Sequence, residues 1–141
     1  DNLKKNKKDN ITPDNIGEIM LCQIPGISSV TANAIMSKFG TFKNIFEAFP
    51  NVQFYDYTKR PDRVMRFIKG ELPSNYHLTF SRSENNQDAV QNVLNSGGNV
   101  AVVFRGSLPA EYMGKKVVNG DESDLRFLDE KNVVVGLVEN H

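Results

Sequence analysis

The hydrophobic period of this chain changes at Pro50, and that change limits its fold more than any other feature. Before Pro50, apolar residues recur at helical spacing; after it, short β-branched and aromatic runs alternate with helical stretches. Val52–Tyr57, Tyr76–Ser81, Asn99–Phe104 and Val133–Val138 read as strands. Asp62–Lys69 and Asn86–Asn95 read as the helices between the first three. Strand–helix–strand order calls for parallel pairing through right-handed crossovers. Between Arg105 and Lys131 no period emerges, so a long loop is expected, with a short apolar piece around Leu125–Leu128. Three or four strands do not close a barrel, and the sheet is left with an edge that needs covering.

The half before Pro50 divides further. Residues 1–10 hold Lys4, Lys5, Lys7 and Lys8 among Asn and Asp and read as a basic flexible tail. From residue 11 to 50 the pattern is helical. Thr12-Pro13-Asp14 is a start signal, and Ile16, Ile19 and Met20 follow at helical spacing. Pro25-Gly26 stops that helix, and Ser28 or Ser29 can cap the next, which carries Ala32, Ile35, Met36 and Phe39 on one face. Gly40 closes it, and Thr41 opens a third helix with Phe42, Ile45, Phe46 and Phe49. Residues 51–141 form the remaining domain. The fold class is therefore α+β or α/β, a short helical segment followed by a partial parallel β/α domain.

Composition removes several function classes. The 17 basic and 17 acidic residues balance to a net charge of zero, so nucleic-acid binding must come from a local patch or motif. Cys22 is the sole cysteine and lies on the apolar side of its helix, which leaves no disulfide framework and no cysteine zinc site. A reducing, cytoplasmic setting fits. No apolar run approaches the ~20 residues of a membrane span, and the N-terminus does not read as a signal peptide. No Ser–His–Asp or Cys–His arrangement emerges; His77 sits within a strand and reads as structural, and His141 is terminal. No cofactor is expected.

The bend Ile24-Pro25-Gly26-Ile27 between two short helices carries the sharpest chemistry. Free N–H groups and the positive end of the second helix dipole would face a phosphate there, and Gly26 would let the phosphodiester approach. The run Ile24–Ser28, Thr31-Ala32 and the Phe39-Gly40-Thr41 junction resemble the helix-hairpin-helix of XPF-type structure-specific endonucleases, viral versions included. The resemblance covers roughly residues 11–49 and implies sequence-independent grip on DNA backbone. Carried over, Pro25 shapes the bend, and Gly26, Ile27 and Ser28 offer backbone N–H groups. Ser28, Ser29 and Thr31 add hydroxyls, and Lys38 or Lys43 adds charge. Ser28 stands where many members have a second glycine and Val30 where they have lysine, and no second hairpin follows downstream. The nuclease's acidic catalytic motif is absent, so the reading is non-enzymatic. Use of the hairpin for packing alone is the alternative.

Phe49–Arg60, Asn75–Asn86, Gly97–Gly106, Gly120–Asp129 and Val133–Leu137 resemble the C-terminal part of an uncharacterised bacteriophage protein family. That resemblance implies a barrel-like β/α domain and leaves function open. The two resemblances meet near residues 40–50, so the chain reads as a natural fusion, a truncation, or a recombined or designed protein.

In a parallel sheet, ligands sit at the carboxyl ends of the strands. That edge would display Asp56 and Lys59, then Ser81 and Arg82, then Arg105, with Asp121, Asp124 and Arg126 folding over. Arg and Lys beside Ser suit a phosphate or carboxylate, and Asp56, Asp121 and Asp124 offer hard oxygens for Mg²⁺. The alternative is caps and bridges, with Ser83 capping a helix and Arg126 pairing with Asp124 or Asp121. Asn119-Gly120-Asp121 reads as a turn. Three functions follow from the residues: a DNA-backbone-binding phage or viral protein, an enzyme fragment with a phosphate or metal site at the strand ends, and a phage-encoded interaction module or inhibitor that takes a host protein as partner. Oligomeric state is not legible.

Overall fold

The computed structural model describes residues 42–139. The first two helices of the expected hairpin, and with them Pro25, Gly26, Ile27, Ser28, Ser29, Thr31 and Lys38, lie outside the described residues. The chain divides into two compact units between Phe54 and Tyr55.

In the first unit, helix α1 spans Phe42–Ala48. Ile45 and Phe46 are buried, and the Phe46 ring meets Phe54 with 4.7 Å between centroids. The Phe49 N–H donates to Ile45 O at 3.1 Å before Pro50 stops the helix. Phe49 itself stays 39% exposed, so the expected apolar stripe is only partly covered.

The sheet starts at β1 (Phe54–Thr58) and alternates through α2 (Pro61–Ile68), β2 (Tyr76–Ser81), α3 (Gln87–Asn95) and β3 (Val100–Arg105). A hairpin of β4 (Glu111–Tyr112) and β5 (Lys115–Asn119) follows, then a 3₁₀ turn at Arg126–Leu128 and β6 (Val134–Glu139). The strand order is β1-β2-β3-β6-β5-β4. β2 with β3, β3 with β6 and β5 with β6 are parallel, and only β4 with β5 is antiparallel among these pairs. The α/β class therefore holds, but the sheet has six strands where the sequence suggested three or four.

The expected 105–131 loop is corrected by this hairpin. Met113 (φ 50°) and Gly114 (φ 80°) both take the left-handed conformation at its tip, the backbone of a type I′ turn that matches strand twist. Met113 is a poor advertisement for such a turn, and its strands are short and half-exposed, so no alternation betrays them.

Two faces of the sheet bury different chemistry. Tyr76, Leu78 and Phe80 of β2 and Val100 and Val102 of β3 are at most 2% exposed. Helices α2 and α3 pack on these strands and contribute Val64, Val90, Val93 and Leu94. On the opposite face Ala101, Val133 and Val135 form a smaller core with Tyr57 and Val118. The segment leaving β5 crosses that face. It comes so close at Gly120 that a Cβ there would stand 2.5 Å from Val135 Cγ1 and 2.8 Å from Leu137 Cδ2. Glycine is required there by space.

Candidate functional site

Because β2 and β3 are parallel, Ser81-Arg82 and Arg105 leave the sheet at one edge. The Arg82 N–H extends the ladder by donating to Ala101 O at 3.0 Å. Its Nε donates to Gln87 Oε1 at 2.9 Å, so a neutral amide holds the guanidinium and its charge is not cancelled. Arg105 projects with a side chain 91% exposed, 3.4 Å from Glu139 Oε2. Lys59 follows β1 directly and is exposed. Asp56 Oδ1 accepts the Tyr57 N–H at 2.8 Å. Ser81 is half-buried, and its carbonyl accepts from Asn86 Nδ2 at 3.0 Å.

The capping expectation at Ser83 is corrected. The residue preceding α3 is Asn86, whose Oδ1 reaches back to the Ser83 N–H at 2.7 Å, while Ser83 Oγ engages Asn85 Oδ1 at 3.1 Å. Asn86 thus ties the strand end to the helix start, leaving Ser83 as its ligand.

The acidic residues are dispersed. Asp121 Oδ2 accepts the Val138 N–H at 2.9 Å, and its own N–H donates to Asn119 Oδ1 at 2.9 Å, the turn read from the sequence. Asp124 uses its carbonyl to accept the Arg126 N–H at 3.1 Å. Among the described residues no three His, Cys, Asp or Glu side chains gather as metal ligands. Asp56, Asp121 and Asp124, which offered hard oxygens for Mg²⁺, therefore form no such group among the described residues.

Arg126 departs furthest from the strand-end reading. Its side chain is turned inward and 1% exposed, and it pairs with Asp129 (Nε to Oδ2, 3.2 Å) instead of Asp121 or Asp124. Nη2 donates to the carbonyl of Gly120 at 3.2 Å and also to that of Ser123. The loop therefore closes on its own arginine, which ties residues 120–129 together.

This charge organises the titratable groups around it. Burial pushes the Tyr57 phenol up, and the Arg126 charge pulls it partly back. Burial pushes the His77 imidazole down, and Arg126 adds to that shift, so the ring is held neutral. Burial also raises the Asp129 carboxyl against the pull of Arg126. His77 Nδ1, Thr79 Oγ1, Arg126 Nε and Nη1 and Asp129 Oδ2 are buried without a hydrogen-bond partner, so Arg126 and Asp129 meet as an ion pair only, and the Phe67 ring packs on His77 at 5.0 Å. A neutral imidazole without an acidic partner makes no general-base pair, and its surroundings are those of a packed side chain. Sequence reading missed Asp129, Tyr57 and Thr79. The available signal was an arginine inside the apolar run Leu125–Leu128 with a carboxylate three residues on.

Comparison with curated proteins and with solved structures returned no match. The helix-hairpin-helix resemblance has no counterpart among the comparisons. A family profile described as Gene product 88, a phage gene product, matches residues 32–141. The match starts well before Phe49, runs through the supposed junction at 40–50, and takes in every strand from β1 to β6 together with α2, α3 and the Arg126 clamp. On that span, most of its length, the chain belongs to the Gene product 88 family of phage proteins.

Proposed function

We propose that this phage protein binds nucleic-acid backbone without reading base sequence and performs no chemistry on it. The observation that supports this reading is the pair Arg82 and Arg105 at one edge of adjacent parallel strands. Ser81 is opposite Ala101, so Arg82 lies beside Val102 and Arg105 stands three residues further along β3, an odd step that places the two cations on either face of the sheet's edge. At about 3.3 Å per residue that is roughly 10 Å, about three steps of the ~3.4 Å axial rise per charge in one strand of a duplex. Lys59 adds a cation, and Ser81 and Ser83 add hydroxyls. The segment around Gly26, Ile27 and Ser28, whose sequence resembles a helix-hairpin-helix, is proposed as a second contact.

A fluorescent-oligonucleotide titration at two ionic strengths tests the reading. Binding is expected to be indifferent to base sequence and to weaken steeply with salt. Arg82→Gln with Arg105→Gln should reduce the log–log salt slope by about 2. Gly26→Glu should remove the hairpin contact. Absence of salt-dependent binding in the unaltered protein refutes the proposal.

One observation favours a second reading, a protein-interaction module. Val103 is 57% exposed although β3 is an interior strand, and parallel sheets ordinarily bury both faces. A purified complex with a host protein that Val103→Asp disrupts, and that DNA does not affect, would decide for this alternative.

A further inference from the structure

We infer that the cleft between α2 and α3 receives a nucleobase from a single strand, an inference that rests on the backbone-binding reading and deepens it. The cleft is an open groove of about 560 Å³, within the roughly 300–1,000 Å³ range of small-molecule sites. Met65 and Ala89, both half-buried, and the fully buried Val93 make its floor, and Pro61 forms one wall. Asn92 and Asn95 stand exposed at its rim. No charged residue lines it, in a chain where 24% of residues are charged.

That lining selects the ligand. A phosphate or carboxylate would enter without a counter-charge, and a purely apolar group would leave two amides unused at the mouth. A nucleobase is flat, neutral and edged with donors and acceptors. The Pro61 ring and the Met65 thioether offer apolar and polarisable contact to its face. Asn95 Oδ1 already accepts from Gln91 Nε2 at 3.0 Å, which leaves its amide NH₂ as the group to donate to an acceptor such as a base carbonyl. Asn92 carries both a donor and an acceptor.

Charge at the cleft mouth fixes the rest of the nucleotide. Pro61 lies two residues past Lys59, which is exposed and makes no ion pair with any described residue. Arg60, by contrast, is paired with Asp62 at 2.9 Å. Lys59 thus offers a cation close in sequence to the start of α2 for the phosphate of a base seated in the cleft. A duplex keeps its bases stacked, whereas a single strand presents them, so the cleft discriminates between the two forms.

The test uses fluorescein-labelled single-stranded and duplex oligonucleotides of about 12 nucleotides with the full chain. The single strand should bind more tightly than the duplex. Ala89→Trp, which fills the cleft, should weaken single-strand binding by about tenfold and leave duplex binding unchanged. Asn92→Leu alters only an exposed rim position, so it decides the matter should the tryptophan variant misfold. If both variants bind the single strand like the unaltered chain while Arg82→Gln with Arg105→Gln still lowers affinity, the cleft proposal is overturned and the backbone reading stands. If the unaltered chain binds neither form, both fall together.

Discussion

Replacing Arg126 by methionine keeps an apolar stem and removes a guanidinium that is 1% exposed. The carbonyls of Gly120 and Ser123 lose their donor, and the Asp129 side chain, 13% exposed, loses its counter-charge. Removing one partner of a buried pair costs about 3–5 kcal/mol. The lower end, about 3 kcal/mol, applies because Asp129 keeps some water and can take up a proton. In a unit of roughly 100 residues each kcal/mol moves Tm by about 4–8 °C, so a fall of at least ~12 °C is expected. The effect should depend on pH in a definite direction. Burial holds the Asp129 carboxyl above its ordinary 3.8, so its protonated form is favoured in the folded state. Its stabilising contribution is then present below that ordinary value and is lost as pH rises through the folded one. Arg126 opposes that upward shift, and without it the shift grows. The penalty of Arg126→Met is therefore largest near neutrality and shrinks on acidification. Adding Asp129→Leu should recover most of the loss, since replacing both members of a buried pair is often neutral. Urea denaturation followed by circular dichroism, repeated between about pH 4 and 7, measures all three quantities. A penalty below about 1 kcal/mol near neutrality, or one flat across that interval, refutes the clamp.

Gly120→Ala should destabilise by about 1–3 kcal/mol, because the new Cβ would fall 2.5 Å from both Arg126 Nη1 and Val135 Cγ1; an unchanged thermal melt would show that the crossing segment is free to lift. Burial raises Tyr57 and Tyr76 above the usual 10.0, Tyr76 more strongly while it accepts a 2.8 Å hydrogen bond from Arg63 Nη2. With folded values raised, their contribution is intact below pH 10.0 and is lost as pH rises through those values. Ultraviolet titration should find Tyr57 and Tyr76 ionising above pH 10.0, and their ionisation at or below that value would contradict the packing. Two compact units predict two thermal transitions, and one sharp transition would show that they fold as one.

Much of the fold was legible because buried strands are written locally. Tyr76–Ser81 was read to the residue, and β3 and β6 each lie one residue later than their apolar runs suggested. Both helices between the first strands appeared with small shifts at their ends. The β4–β5 hairpin was not legible, since Lys115 and Lys116 open a half-exposed strand and Met113 hides the left-handed turn. At the site, Arg82 and Arg105 followed from the rule that parallel strands end at one edge. Asp121 was read as a ligand, yet it spends an oxygen on the Val138 amide.

Periodicity is a property of neighbours along the chain, and so residue order alone determined which segments become helix or strand and that most of the sheet is parallel. Strand order is a property of partners far apart in sequence. Nothing local announces that β6 inserts between β3 and β5, or that the segment leaving β5 must cross the far face of the sheet. That crossing turned Arg126 from an expected surface cation into a buried clamp, because a guanidinium is buried only where carbonyls and a carboxylate, here those of its own loop laid across the sheet, are folded around it. The α2–α3 cleft likewise exists only once two helices, each unexceptional as sequence, are laid side by side on the sheet.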